Sequence, residues 1–409
     1  TSLSMQILEV AIITHNPALM AFHDLKAVDL LVTLLHSECE GTKVIDIVND
    51  ETMEDEAGVV DVVIKLDGST RVLLFSILNC LTIVFHHQET NPRSNHSPMS
   101  AANVLRRSDM TEVLMTIMTY VHSYGGVLVA VATTLLSDIM NSDPKLVHYV
   151  YESGLADAFF KMIKGSQYVE WKERSKSSGI LDVTADVWHE PDIPVTAELI
   201  MSLPNVISAL ALTEDGRKRL LHVNPIPELL SLLCTSRFAM PHSRCMLNDM
   251  ASLIGAGLDE LIRHVPNSKH AVIKALVATI ERIKHLGQEV VDAESKHNSQ
   301  NSNHSRLCLM HYASNIGQAL EHVLQNEDNC GVFVAAGGVD AILDLHPLLI
   351  VRGSELLSHI SSQSSPSIAN LSHSTAATIL ISTIKRTAVN DDPCKIMKKI
   401  MTALTKQLS

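Results

Sequence analysis

The sequence is poor in aromatic residues and in positive charge. Phe, Trp and Tyr make up only 4% of its 409 residues, and 32 Lys and Arg stand against 45 Asp and Glu, so the formal net charge is −13. Nucleic-acid-binding surfaces need a basic stripe and aromatic rings on which bases stack. The composition therefore argues against nucleic acid as a partner and favours proteins.

Closely spaced cysteine pairs and membrane-length apolar runs are also missing. The seven cysteines occur singly, and several of them, such as Cys80 and Cys234, lie in apolar segments, which argues against a disulfide framework and favours a reducing compartment, the cytosol or nucleus. The longest apolar run, residues 72–85, has 14 residues, whereas a membrane span needs about 20. We expect it to be a buried helix, with no membrane as partner. The start "TSLSMQILEVAII" has no signal-peptide pattern and suggests a piece of a longer chain.

Recognisable catalytic and metal motifs are absent as well. No Gly-x-Ser-x-Gly elbow occurs, and cysteines in apolar helices are expected to be inert. The 21 histidines are spread along the chain, and the tightest groups are His304-x3-Cys308-x2-His311 and His242-x2-Cys245. Neither group matches the paired spacings of a zinc site, although Cys308 and His311 would share a helical face. We therefore predict no catalytic residue, no cofactor and no metal.

What the sequence does contain is an internal repeat. Four segments align in one register: residues 16–32, 143–159, 214–230 and 327–343. Around an apolar anchor, each copy has a large apolar residue six positions before it and further apolar positions at helical spacing. The anchors are Val28, Leu155, Ile226 and Val339, and the large residues are Phe22, Tyr149, Leu220 and Phe333.

Each copy is predicted to form a long helix, a short helix, a tight corner and a third helix. A fifth, partial copy at residues 109–118 matches the third helix through Met110, Val113 and Leu114. Such units cannot bury their apolar faces alone, so they stack into a superhelix. The repeat predicts an all-α fold over residues 1–409, an armadillo/HEAT-like α-solenoid with polar loop insertions.

The copies are spaced unevenly, which predicts insertions between them. The anchors lie 127, 71 and 113 residues apart, against about 40–47 residues for armadillo and HEAT units. Polar composition marks the predicted loop insertions at 38–70, 88–100, 164–194, 292–305 and 352–370.

Two of these insertions have features of their own. Residues 38–61 are strongly acidic, and a solvated loop is preferred there over a site for a basic partner. The insertion 164–194 holds both tryptophans, Trp171 and Trp188. Tryptophan is favoured in interface hot spots, so these two are possible partner anchors, although the preferred interpretation is that they pin the insertion onto the solenoid.

The two glycines in "FVAAGGVDAIL", Gly337 and Gly338, invite comparison with a phosphate-binding loop. The other copies have Lys-Ala, Ser-Gly or Asn-Pro at these positions. No strand precedes the glycines and no Lys-Ser/Thr follows them, as a phosphate loop requires. We therefore predict a helix corner, in which Gly337 takes the left-handed conformation and Gly338 allows close packing.

Three blocks in order carry a family resemblance: "LEVAIITHNPALMAFHDLKAVDLLVTLL" (8–35), "VNPIPELLSLL" (223–233) and "CGVFVAAGGVDAILDLHPLL" (330–349). They resemble the N-terminal armadillo-like region of the giant HECT-type ubiquitin ligases, the Mule/Tom class. The resemblance implies a scaffold segment of an enzyme that passes ubiquitin through a cysteine of a separate C-terminal domain. It implies ubiquitination substrates and the rest of the ligase chain as partners, and it carries no catalytic residue to this segment.

Three functions remain open on the sequence. We expect a non-catalytic, substrate-presenting segment of a HECT-type ligase in the cytosol or nucleus. The alternative is a stand-alone armadillo adaptor that binds protein partners. A helical enzyme, the third, would need ionisable residues with perturbed pKa values clustered in one pocket.

Overall fold

The computed structural model describes residues 2–14, 27–46, 61–64, 66–90, 101–165, 191–239, 250–295 and 299–349. Contacts group the chain into two compact units, where the sequence predicts a single segment. The first comprises Thr1–Arg174 and Asp192–Arg217, and the second comprises Ser175–Pro191 and Lys218–Ser409.

The first unit is built from helices that pack in succession. Its described helices are α1 (Ser2–Thr14), α2 (Ala27–Thr42), α3 (Gly68–Thr90), α4 (Ala101–Leu105), α5 (Ser108–Thr119), α6 (Val121–Tyr124), α7 (Gly126–Ser142), α8 (Leu146–Glu152), α9 (Leu155–Lys164) and α10 (Ala197–Leu210). Helix α1 packs on α3, α3 on α7 and α7 on α10, while α2, α5 and α9 form a second row. A buried hydrogen bond of 2.8 Å between the Thr133 and Ser202 hydroxyls joins α7 to α10.

The long apolar run lies in α3, at the centre of this unit. Leu74, Ile77, Leu78 and Leu81 are completely buried there, as expected for a core helix. Residues 68–85 have a mean hydropathy of 1.6, enough in length and composition to cross a membrane, and half of that stretch is buried inside the protein. Because core helices meet the same criteria, hydropathy alone does not assign α3 to a membrane.

A two-stranded β-hairpin is the β-structure that we find in the described part of the chain. Strand β1 (Lys43–Asp46) pairs antiparallel with β2 (Asp61–Ile64), and Val44 lies opposite Val63. Both strands fall in the predicted loop insertion 38–70, whose other described residues include the end of α2 and the start of α3. The β-branched residues of "KVID" and "DVVI" favour extended backbone, a preference that the acidic composition of the segment obscured.

The second unit centres on one long helix. Its elements are α12 (Ile226–Ser231), a 3₁₀ turn (Leu232–Cys234), α13 (Ser236–Ala239), α14 (Met250–His264), a 3₁₀ turn (Pro266–Ser268), α15 (Lys269–Ser295), α16 (Ser299–Val323), α17 (Glu327–Ala335) and α18 (Gly338–Leu349). Helix α15 packs against α12, α16, α17 and α18, and α14 packs on α16. Helix α11 (Glu214–Val223) connects the preceding helix α10 to α12.

The predicted loop insertion 292–305 also differs from the structure. Its described residues belong to the end of α15 and the first turns of α16. Serine, asparagine and histidine are weak helix formers, which made this segment resemble a loop. The rest of α16 is anchored by buried residues such as Leu309, Ile316 and Leu320, so tertiary packing extends the helix beyond what local preference predicts.

The helices follow the order that the repeat predicts. Copies two, three and four are α7–α8–α9, α10–α11–α12 and α16–α17–α18, and the first copy provides α1 and α2. The partial copy supplies α3 and α5, with Met110, Val113 and Leu114 buried. Leu155 follows Met110 by 45 residues, within the usual repeat length. An all-α, solenoid-like fold is confirmed within each unit, apart from the hairpin.

Candidate functional site

The corner between α17 and α18 carries the glycines that first suggested a binding loop. Gly337 has φ +85°, and its N–H donates to the carbonyl of Val334 at 3.1 Å. The axes of the two helices bend by 74° at this break. Glycine adopts a left-handed backbone without steric cost, so Gly337 ends α17 and redirects the chain.

Gly338 has a different structural role, because the ring of Phe333 packs directly against it. A Cβ atom at Gly338 would come within 2.3 Å of two ring atoms of Phe333, and Phe333 is completely buried. The missing side chain therefore makes room for the aromatic ring beneath the first turn of α18. The role of Gly338 at this corner is therefore one of packing.

Two of the other copies also have a residue with left-handed backbone at the corner. Asn224, at the position equivalent to Gly337, has φ 45°, and Gly154, one position later in its copy, has φ 88°. Asparagine tolerates the left-handed region better than most residues. Three of the four corners thus reach the left-handed region by different residues, and Lys26 of the remaining corner lies outside the described residues.

The large apolar positions of the repeat differ in burial. Leu220 and Phe333 are buried, whereas Tyr149 is partly exposed. Its hydroxyl lies 3.0 Å from the Thr111 hydroxyl on α5, so the tyrosine also makes a polar contact between α8 and α5. Phe22 lies outside the described residues, as do the possible partner anchors, Trp171 and Trp188.

The described cysteines are buried in helices or in the 3₁₀ turn. They are Cys39, Cys80, Cys234, Cys308 and Cys330. Burial raises the pKa of the Cys234 thiol well above its usual value, and it also raises the pKa of Cys308. A nucleophilic cysteine needs an accessible thiolate, so these two positions disfavour covalent catalysis.

His311, on α16, is buried without a hydrogen bond to its Nε2 atom among the described residues. Only 4% of this residue is exposed, and burial lowers the pKa of its imidazole. Cys308 shares the helical face, as the spacing predicts, but the described residues do not bring a third ligand to this pair.

A polar cluster between α2 and α5 was not predicted from the sequence. It consists of His36, Glu40 and Glu112, whose potential ligand atoms all lie within 4.8 Å of one another. The i, i+4 spacing of His36 and Glu40 is visible in the sequence, but Glu40 falls in the acidic segment that is predicted to be a loop. Glu112 is distant in sequence, and only the packing of α2 on α5 brings it near.

Comparison with known proteins finds similarity to ubiquitin ligases. The family described as "Domain of Unknown Function (DUF913)" matches residues 2–296. The E3 ubiquitin-protein ligase ptr1 of Schizosaccharomyces pombe is 22% identical over 350 residues, which cover 85% of this chain and 9% of ptr1. UPL2 of Arabidopsis thaliana, another E3 ubiquitin-protein ligase, is 22% identical over 387 residues, with the same coverage of 85% and 9%.

A shorter match has higher identity. The E3 ubiquitin-protein ligase HUWE1 of Mus musculus is 34% identical over 118 residues, 28% of this chain and 3% of HUWE1. The chain thus spans 9% or less of the length of these relatives, and the predicted resemblance to giant ubiquitin ligases is confirmed. Since the family match covers well over half of the chain, the protein belongs to the DUF913 family.

Proposed function

We propose that this chain is a non-catalytic scaffold segment of a HECT-type ubiquitin-protein ligase, which presents protein substrates to a catalytic domain elsewhere in the same polypeptide. The observation that carries the proposal is the similarity over 85% of the chain to ligases of which it spans only 9%. A segment so small relative to its relatives is suited to one role within a larger enzyme. Its partners are then the substrates and the rest of the ligase.

The helix packing and the buried thiols support this division of labour. Successive helices in armadillo-like units expose long surfaces that suit extended protein partners. HECT-type transfer needs a cysteine that accepts ubiquitin as a thioester and then releases it to an amine. The buried thiols, two of them with raised pKa values, are poor candidates for that cysteine. The five described cysteines, which form no disulfide with one another, also favour a cytosolic or nuclear location.

The first test uses this chain alone. A ubiquitin-conjugating enzyme is charged with ubiquitin, the chain is added, and non-reducing gels are inspected for a reducible ubiquitin adduct. We expect none, because the proposed reacting cysteine belongs to another domain. An adduct that disappears when one of the seven cysteines is changed to Ser would refute the scaffold role.

The second test uses a full-length relative such as ptr1, from which the region matching this chain is deleted. We expect the deleted enzyme to retain its ubiquitin thioester while it loses ubiquitination of at least one substrate that the intact enzyme modifies. Restoring the segment in cis should restore that modification. Unchanged ubiquitination of every tested substrate would contradict substrate presentation.

A further inference from the structure

One face of α2 carries a line of polar residues toward α5. Four positions at helical spacing form this line: Asp29, Thr33, His36 and Glu40. At one end, Arg107 forms ion pairs with Asp29 and with Asp109 of α5, and its Nη2 atom donates to the Thr33 hydroxyl at 3.3 Å. These contacts fix the register of α2 along α5, and they place the other end of the line beside Glu112.

At that other end, three side chains converge on one point. The Nε2 atom of His36 lies 3.5 Å from the Oε2 atom of Glu112, and a carboxylate oxygen of Glu40 lies within 4.8 Å of both potential ligand atoms. Ligand atoms about 2.0–2.2 Å from a tetrahedral zinc ion are separated by roughly 3.4 Å. The His36 to Glu112 distance already meets this value, and rotation of the exposed Glu40 side chain would have to close a gap that is at most 4.8 Å wide.

We infer that His36, Glu40 and Glu112 form a binding site for a divalent transition-metal ion, with Zn²⁺ as the probe. Neutral imidazole suits Zn²⁺ and related ions, whereas Mg²⁺ and Ca²⁺ prefer oxygen ligands alone. With His36 neutral, the two carboxylates supply a charge of −2, which a divalent cation balances. Three protein ligands leave one coordination position for water.

The ion would link two neighbouring copies of the helical repeat, both within the first unit. His36 and Glu40 belong to α2, the third helix of the first copy, and Glu112 belongs to α5, the third helix of the partial copy. A bridging ion therefore stabilises the packing of these copies against each other. This role is independent of ubiquitin transfer, so its failure would leave the proposed scaffold function intact.

The chain offers a matched control for the pairwise part of the site. His148 and Glu152 on α8 also have i, i+4 spacing, with the His148 Nε2 atom 3.0 Å from the Glu152 Oε1 atom. Within the described ranges, no third ligand groups with this pair. If an exposed His-Glu pair alone binds zinc, His36→Ala and His148→Ala should each remove binding. If three ligands are needed, only the change at His36 should do so.

The experiment titrates the untagged 409-residue chain with ZnCl₂ in a calorimeter, with Co²⁺ absorption as a second readout. Wild type is compared with His36→Ala, Glu40→Gln, Glu112→Gln and the control His148→Ala, each checked for helicity by circular dichroism. We expect each change at the site to weaken one equivalent of Zn²⁺ binding by at least about 100-fold, since changes even outside the ligand shell cost 10- to 100-fold. The control should bind as wild type does.

Two outcomes would overturn the site. Glu112→Gln preserves side-chain size at an exposed position, so a folded Glu112→Gln protein with wild-type stoichiometry and affinity excludes a site that uses this carboxylate. An equal loss in His148→Ala would reduce the binding to scattered surface histidines. Competition by Mg²⁺ at the same concentration as Zn²⁺ would contradict selection through the imidazole.

Discussion

Two adjacent glycines at the α17–α18 corner illustrate how one residue type serves two physical needs. Glycine is required at position 337 because the backbone there is left-handed. Space is not the constraint, since nothing lies within 4 Å of an added Cβ. Gly338 requires empty space, because the Phe333 ring occupies the place of a Cβ. The two requirements lead to different mutational behaviour.

We predict that Gly337→Ala lowers the free energy of unfolding by about 1–2 kcal/mol, the usual cost of a left-handed backbone in a residue with a Cβ atom. Gly338→Ala should also destabilise the protein, through its clash with Phe333. Urea unfolding measures both effects. Gly331→Ala is the control, because Gly331 lies exposed in α17 with open space around it, and alanine there should stabilise the helix by roughly 0.5–1 kcal/mol.

A double substitution separates the two mechanisms. Phe333→Leu shortens the side chain that opposes Gly338, so it should relieve part of the cost of Gly338→Ala and make the two changes non-additive. By contrast, the free-energy costs of Phe333→Leu and Gly337→Ala should be additive, because the clash with the ring involves Gly338. Equal coupling in both pairs would show that the ring contact is not what requires Gly338.

The buried ring of Phe333 supports a second prediction at this scale. Phe333→Ala should lower the free energy of unfolding by about 3–5 kcal/mol, the usual cost of removing a buried aromatic side chain. Leu253→Ala is the comparison, because Leu253 is 39% exposed and should cost much less. Coincident melting curves for Phe333→Ala and wild type would mean that the repeat register is wrong.

Burial of His311 predicts a dependence of stability on pH. Its pKa in the folded protein is lowered below 6.5 by burial, while in the unfolded chain it is about 6.5. Between these two values the unfolded state binds more protons, so stability rises with pH in this window. The contribution of neutral His311 is therefore present above about pH 6.5 and is lost as the pH falls toward the folded-state pKa.

The measurement is urea unfolding between pH 5 and pH 8 for wild type, His311→Leu and Leu253→Ala. We expect His311→Leu to have a shallower loss of stability below about pH 6.5, while Leu253→Ala, which removes no titratable group, keeps the wild-type slope. An unchanged slope in His311→Leu would assign the acid sensitivity to other groups.

At the scale of the helices, α14 and α16 meet at a position that only glycine fits. A Cβ on Gly255 would lie 2.7 Å from the Cα of Ala319 and 2.8 Å from its carbonyl oxygen. Backbone atoms cannot rotate away as a side chain does, so α14 must shift to accept a larger residue. Small residues permit such close helix contacts.

We predict that Gly255→Ala lowers the free energy of unfolding by about 1–3 kcal/mol, as overpacking usually does, despite the better intrinsic helix preference of alanine. Gly331→Ala again provides the opposite-sign control at an exposed helical position. Thermal unfolding of both variants would test the contact, and a stabilised Gly255→Ala would mean that the two helices do not approach so closely.

How much of the structure the sequence predicts depends on whether an element is determined by residues close together in the chain or by contacts between distant segments. The repeat positions predicted the helix order and the left-handed corner at Gly337, because both follow from local sequence. The hairpin at Val44 and Val63 and the helical first turns of α16 were not predicted, because cross-strand pairing and tertiary packing decide them. The His36, Glu40 and Glu112 cluster depends on two helices that only folding brings together.

At the scale of the whole chain, the charge distribution supports a further prediction. With a formal net charge of −13, the protein lacks the excess of lysine and arginine that neutralises phosphates on nucleic acids. We expect no binding to a 30-base-pair DNA duplex in gel-shift assays at 150 mM salt, and none at 50 mM, where phosphate contacts are strongest. A shift that weakens steeply with added salt would reveal a basic surface that the composition hides.

The five buried cysteines give the protein a set of built-in reporters of local opening. Cys39, Cys80, Cys234, Cys308 and Cys330 lie in different elements, two in the first unit and three in the second. A thiol reagent modifies a buried cysteine only when the surrounding structure opens. The labelling rate at each position, followed by mass spectrometry, therefore reads the opening frequency of that element without introducing any probe.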